Sequence, residues 1–85
     1  MDDRRKRLLY QANHMGMKET DTLLGGYATL ELESMDEPQV AAFEQIMKEG
    51  DNDLMNWLLE REPFPAHLDE TMMQNLIQFK SRCRP

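Results

Sequence analysis

A length of 85 residues sets the expectation of one small domain, spanning 1–85, that buries roughly 64% of its unfolded surface and has no room for a deep substrate cavity. Sixteen acidic against ten basic residues give a formal net charge of -6, which disfavours a whole-surface nucleic-acid or anionic-membrane binder and makes protein partners the default. The chain is 40% hydrophobic and 31% charged, as folded chains are, and its one cysteine, Cys83, excludes an intramolecular disulfide or a Cys-x-x-Cys metal site and fits a reducing compartment.

Strand signals are weak, since Val and Ile together occur only at Val40, Ile46 and Ile77. Helical spacing dominates and predicts an all-α, five-helix bundle. The first helix is expected from about Asp3 to His14, with Leu8, Leu9 and Ala12 as its apolar stripe and Gly16 beyond its end. The second begins near Met17 and runs through Leu23, Leu24 and Tyr27, against the cost of Gly25-Gly26, about 1 kcal/mol per glycine relative to Ala. The third is signposted by Asp36-Glu37-Pro38-Gln39, an N-cap followed by a first-turn proline and a glutamine three residues on. Val40, Phe43, Ile46 and Met47 supply its buried face, and Lys48 and Gly50 end it. Asp51-Asn52-Asp53 offers a fresh cap for a short fourth helix, with Leu54, Trp57 and Leu58 on one side. Pro63 and Pro65 force a break before a last helix carrying Leu68, Met72, Leu76 and Phe79, with Lys80 and Arg82 placed to suit its negative end.

Charge is uneven along the chain: residues 1–30 carry +1, residues 31–70 carry -10 and residues 71–85 carry +3. The run Arg4-Arg5-Lys6-Arg7 reads as a solvated face of the first helix or as a contact for phosphate or for a carboxylate-rich protein. No apolar run approaches the ~20 residues of a membrane helix, and the first residues, with two acids and no apolar stretch, do not read as a signal peptide.

Catalytic chemistry is hard to find. His14 and His67 lack His-x3-His or Glu-x-x-His spacing and read as solvated helix ends rather than metal ligands. Cys83, close to the C-terminus, lacks the walls and oxyanion donors a nucleophile needs. Gly25-Gly26 has neither a preceding strand nor a phosphate-loop pattern. Of the eight methionines, Met47 and Met72 fall on apolar stripes, whereas Met15, Met17, Met35, Met55 and Met73 are less determined.

One segment departs from packing logic. In His14-Met15-Gly16-Met17-Lys18-Glu19-Thr20-Asp21 two methionines flank a glycine at a turn expected to be exposed. Glycine admits positive φ and the close approach of a partner, and carboxylates suit the helix start that follows. The plain alternative is a glycine-stopped helix followed by acids in the next first turn. Asp53 likewise divides between a cap and a contact, and Trp57 between a core anchor and a contact.

Through Arg5-x-x-Leu8-Leu9-Tyr10, Gly16-Met17-Lys18-Glu19-x-Asp21, Leu23-Leu24-Gly25 and Asp51-x-Asp53-Leu54-x-Asn56-Trp57-Leu58, the chain resembles the succinate dehydrogenase assembly factor 2 family, whose bacterial members are called SdhE. The resemblance covers nearly the whole chain in order. It implies a small five-helix bundle that binds the flavoprotein subunit of succinate dehydrogenase or fumarate reductase and promotes covalent attachment of FAD to a histidine of that subunit. The family's R-G-x-x-E motif falls on Gly16 and Glu19, with Met15 at its arginine position, where neither charge nor donors remain. The expected partner-binding residues are therefore His14, Met15, Gly16, Met17, Glu19 and Asp21, joined by Asp53 and Asn56.

The resemblance also implies that FAD belongs to the client. On this reading the chain carries no catalytic, cofactor-binding or metal residues, contacts no nucleic acid, inserts in no membrane and works as a monomer. Its compartment would be a bacterial cytoplasm, or the mitochondrial matrix in a eukaryote. Two other classes stay open on the residues alone: a small acidic antitoxin or regulator suggested by the -10 stretch, and a helix-turn-helix binder using Arg4 to Arg7.

Overall fold

The chain was analysed as a computed structural model that describes residues 2–82, so Cys83 lies outside the described residues. Among these residues five helices follow one another: α1 (Asp3–Ala12), α2 (Lys18–Glu31), α3 (Glu37–Met47), α4 (Asp51–Leu58) and α5 (Glu70–Arg82), with a 3-10 turn at Leu32–Ser34. No strand occurs among the described residues. The all-α, five-helix expectation holds, and the departures from it are local.

α1 starts where the Asp2 carboxylate accepts the Arg5 N–H at 2.9 Å, and it ends two residues earlier than expected. Asn13 explains the early stop, because its side-chain amide donates to the Leu9 carbonyl at 2.9 Å and so satisfies an open end of the helix. α2 runs past Gly25-Gly26 to Glu31 without a break. Gly25 is buried against the preceding turn: a Cβ there would collide with the Asn13 side chain and stand 3.2 Å from the Ala12 carbonyl oxygen. At Gly26 the ring of Phe79 lies 3.5 Å from the position a Cβ would take. The two glycines thus let α1 and α5 close on α2, and the apolar area buried by that approach offsets their unfavourable helix propensity.

The α3 start is as expected. Gln39 N–H donates to Asp36 Oδ1 at 2.9 Å, Asp36 N–H donates to Gln39 Oε1 at 2.9 Å, and Pro38 sits in the first turn. The α4 start is a correction. Gly50, in extended backbone with no side chain to contribute, is its N-cap, and Asp51, Asn52 and Asp53 are already helical. Asp53 therefore caps nothing; its exposed carboxylate sits in the first turn, where the positive end of the helix favours it. α5 follows the Pro63–Pro65 loop, with Asp69 Oδ1 accepting the Met72 N–H at 2.8 Å.

The core joins all five helices. Leu24, Ala28, Leu32, Val40, Phe43, Ile46, Leu54 and Met73 are fully buried, and Tyr27 stacks on Phe43 (6.2 Å between ring centres) and meets the Phe79 edge (5.5 Å). Trp57 is a core residue, as are Met47 and Met72. Met35, Met55 and Met73 prove buried too, whereas Met15 and Met17 are half-buried. The basic run is only partly a solvated face. Arg4 bridges Glu37 at 2.8 Å and Glu44 at 2.7 Å, tying α1 to α3, and Arg5 donates to the Leu32 and Met35 carbonyls at 3.2 and 2.6 Å.

Candidate functional site

The α1–α2 turn is built by three local devices. His14 N–H closes the end of α1 on the Gln11 carbonyl at 3.1 Å. Gly16 turns the chain at φ 106°, outside the left-handed well open to residues with a Cβ. The Asp21 carboxylate reaches back from the first turn of α2 to accept the Met15 N–H. Asp21 is therefore a structural tie that fixes the turn as well as a member of the surface.

On this frame the side chains divide. Met15 packs against the core, half-buried, so the position where the resemblance sets an arginine carries an apolar group directed toward the interior. Met17 is also half-buried and precedes α2 without a side-chain cap. Gly16, on the turn, and Glu19, in the first turn of α2, are both exposed. His14 is exposed and held in place, since its Nδ1 lies 2.7 Å from the Tyr10 carbonyl oxygen and its ring stacks on Tyr10 at 4.0 Å and 18°.

The turn also meets α4. Asp51 Oδ2 lies 3.4 Å from where a Cβ on Gly16 would stand and 3.4 Å from Thr20 Oγ1, and Thr20 donates as well to the Met17 carbonyl at 3.0 Å. Thr20 is fully buried, so these contacts satisfy a polar group that burial would otherwise penalise. His14, Met15, Gly16, Met17, Glu19 and Asp21 thus share one continuous turn. Asp53 and Asn56 are elsewhere on α4: Asp53 is exposed, and the Asn56 carbonyl accepts the N–H groups of Arg61 (2.8 Å) and Glu62 (3.4 Å).

Residue-by-residue reading misses Tyr10, Thr20 and Asp51 at this place. The i,i+4 spacing of Tyr10 and His14 is a usable signal for their stack. Thr20 and Asp51 are 31 positions apart and carry none.

His67 pairs with Glu49 at 3.2 Å, and no cluster of three His, Cys, Asp or Glu suited to a metal occurs among the described residues. Two shallow grooves lie away from the turn. One of about 190 Å³ is walled by Trp57, Glu60, Phe64 and Ile77; the other, of about 180 Å³, lies between the start of α3 and α5. Both are smaller than the roughly 300–1,000 Å³ of small-molecule pockets. Among the described residues no helix is long and apolar enough to cross a membrane. The exposed groups of the turn are hydrogen-bonding and charged contacts on a fixed backbone, an arrangement suited to docking a protein surface.

Comparison with known proteins agrees. The family described as "Flavinator of succinate dehydrogenase" matches residues 6–80, a span that contains the whole turn. Succinate dehydrogenase assembly factor 2 of Dictyostelium discoideum, a mitochondrial protein, is 36% identical over 81 residues, which is 95% of this chain and 57% of that protein. FAD assembly factor SdhE of Acetobacter pasteurianus is 33% identical over 75 residues, 88% of this chain and 69% of that protein. The mitochondrial assembly factor 2 of Drosophila virilis is 34% identical over 77 residues, 88% of this chain and 49% of its own. The chain therefore spans about half to two thirds of the length of these relatives. With a match running from α1 to the last turns of α5, the chain belongs to the succinate dehydrogenase flavinator family.

Proposed function

We propose that this chain is an FAD assembly factor: it binds the flavoprotein subunit of succinate dehydrogenase or fumarate reductase and promotes covalent attachment of FAD to that subunit. The observation that carries the reading is the family match over residues 6–80, which includes an exposed glycine at a φ of 106° beside an exposed Glu19. The chain acts on its client without catalytic residues of its own. It holds the flavoprotein so that the attacking histidine and the flavin lie in reactive geometry, a proximity effect in which the flavin chemistry stays with the client. Gly16 lets the client backbone come close, Glu19 supplies a carboxylate contact, and Met15 and Met17 give the turn its apolar backing. Asp53 and Asn56 form an outer part of the same contact. The chain is a monomeric single domain that retains no FAD and works in a bacterial cytoplasm or its mitochondrial equivalent.

The test is genetic and spectroscopic. In a strain lacking its own factor, expression of this chain should restore the fluorescence of covalent flavin on the dehydrogenase subunit in a denaturing gel. Absence of restoration, with the chain soluble and folded, would overturn the reading. Stoichiometric yellow colour surviving gel filtration would instead make it a flavin carrier.

A further inference from the structure

Seven methionines lie among the described residues, and burial sorts them. Met35, Met47, Met55, Met72 and Met73 are at most 8% exposed. Met15 is half-buried and packs against the core. Met17 is half-buried as well, yet it is not among the side chains that pack on that core. An oxidant must reach the sulfur to react with it, so the bundle shields five of these thioethers, holds a sixth against its interior and leaves Met17 the least defended.

The place of Met17 gives that difference a consequence. It follows Gly16 as the N-cap of α2, in extended backbone and with no side-chain cap. Its main chain is fixed, because its carbonyl accepts the Asp21 N–H at 2.9 Å and the Thr20 hydroxyl at 3.0 Å. A methionine side chain is flexible, apolar and polarisable, whereas its sulfoxide is polar and adds a hydrogen-bond acceptor without a donor. Neighbouring donors are already committed: the Met15 N–H to Asp21, and the Thr20 hydroxyl to the Met17 carbonyl and to Asp51 Oδ2. A sulfoxide oxygen at this position therefore relies on water, and a partner that covers the turn would bury it without a donor.

Building on the assembly-factor reading, we infer that the Met17 thioether is a modification site for a hydroperoxide such as hydrogen peroxide, and that its conversion to the sulfoxide weakens docking of the flavoprotein. The sulfur lone pair attacks one peroxide oxygen, an S–O bond forms and the O–O bond breaks. The transferred oxygen gives its proton to the departing hydroxide, which leaves as water; sulfur loses two electrons and the peroxide gains them. Reduced flavin with dioxygen yields this class of oxidant, so on that reading the client itself is a source. Oxidation at Met17 would then slow the chain's work where peroxide accumulates, and reduction of the sulfoxide would restore it.

Limited treatment of the folded chain with hydrogen peroxide, followed by peptide mass spectrometry, reads the site. Met17 should be oxidised at least about fivefold faster than the five buried methionines, with Met15 between them. Calorimetric titration against the purified flavoprotein subunit reads the consequence: the chain oxidised at Met17 should bind about 3- to 30-fold more weakly. Methionine sulfoxide reductases acting on both epimers should restore binding, whereas a thiol reductant alone, which reverses only oxidation of Cys83, should not. Met17→Leu keeps an apolar side chain of similar size without the sulfur; it should bind within about twofold of the untreated chain and lose nothing to peroxide. Circular dichroism confirms that the helices survive each treatment. A buried methionine oxidised as fast as Met17, unchanged binding after full oxidation of Met17, or an equal loss of binding by peroxide-treated Met17→Leu each overturns the proposal and leaves the assembly-factor reading in place. If the untreated chain fails to bind the flavoprotein, the functional reading falls and the docking step with it, while the mass measurement still decides the site.

Discussion

Two of the described residues turn the chain at positive φ, and they do so under different constraints. Gly16 stands at 106° between α1 and α2, and Glu60 at 60° after α4. At the second, Glu60 N–H bonds the Trp57 carbonyl at 3.1 Å and Arg61 N–H bonds the Asn56 carbonyl at 2.8 Å, the paired closure that ends many helices on a glycine. A φ of 60° lies inside the left-handed well, which a residue with a Cβ enters at a cost of about 1–2 kcal/mol. A φ of 106° lies beyond that well. Helix termination at α4 therefore tolerates an unfavourable side chain, whereas the proposed docking turn is open to glycine alone.

The largest expected effect probes that difference at Gly16. Gly16→Ala should lower stability by about 1–3 kcal/mol through backbone strain, with the added Cβ 3.4 Å from Asp51 Oδ2, and Gly16→Arg should do the same and abolish flavinylation. At about 4–8 °C per kcal/mol for a small domain, a thermal melt reads the loss directly. A melt unchanged by Gly16→Ala would erase the contrast. Asp21→Ala comes next: leaving the Met15 N–H without its acceptor should cost about 1–2 kcal/mol, with Asp21→Asn retaining part of the bond.

On the other side of the comparison, Glu60→Gly should raise stability by about 0.5–1 kcal/mol, as strain relief exceeds the added freedom of the unfolded chain; a fall in melting temperature would show that the Glu60 side chain is needed there. Glu19→Ala should move stability by less than about 0.5 kcal/mol while it lowers flavinylation, separating the surface role of the turn from its backbone role. The smallest effect lies away from both turns. The hydrogen bond from Arg4 holds the Glu44 carboxyl below its ordinary value of 4.5, so its contribution is present above that value and is lost as pH falls through the lowered one. Glu44→Gln should slightly flatten the loss of stability on acidification in a denaturant series, and an unchanged slope would show that the exposed pair contributes nothing.

What the sequence made legible follows from the range of the interactions. The α3 start could be read because Asp36, Pro38 and Gln39 act on one another within a single turn. The stripe of Met72, Leu76 and Phe79 on α5 was equally clear, since its period alone marks a buried face, whereas Leu68, expected on the same helix, is buried from the loop that precedes it. The far end of α2 was not legible, because the contacts that reward Gly25 and Gly26 come from Asn13 and Phe79, remote in the chain. At α4 four consecutive residues, Gly50 to Asp53, are all acceptable N-caps, and the backbone rather than the side chains selected the first. Arg4 and Arg5 read as solvent-facing because the acceptors that tie them to the rest of the fold lie 27 to 40 positions away. The site shows the same division: the Gly16 turn declares itself by residue type, while its buttress from Thr20 and Asp51 exists only after folding.

Arg5 ties together what would otherwise open separately. Its guanidinium meets Asp2 Oδ2 at 2.8 Å and the Met35 carbonyl at 2.6 Å, and its Nε meets the Leu32 carbonyl at 3.2 Å, so one side chain from the first turn of α1 closes the 3-10 turn that ends α2. The two ends of the α1–α2 hairpin then form one cooperative unit. In hydrogen–deuterium exchange, amides at the start of α1 and around Leu32–Met35 should become accessible together, and Arg5→Lys, whose single ammonium cannot span both carbonyls, should split them into two independently opening segments.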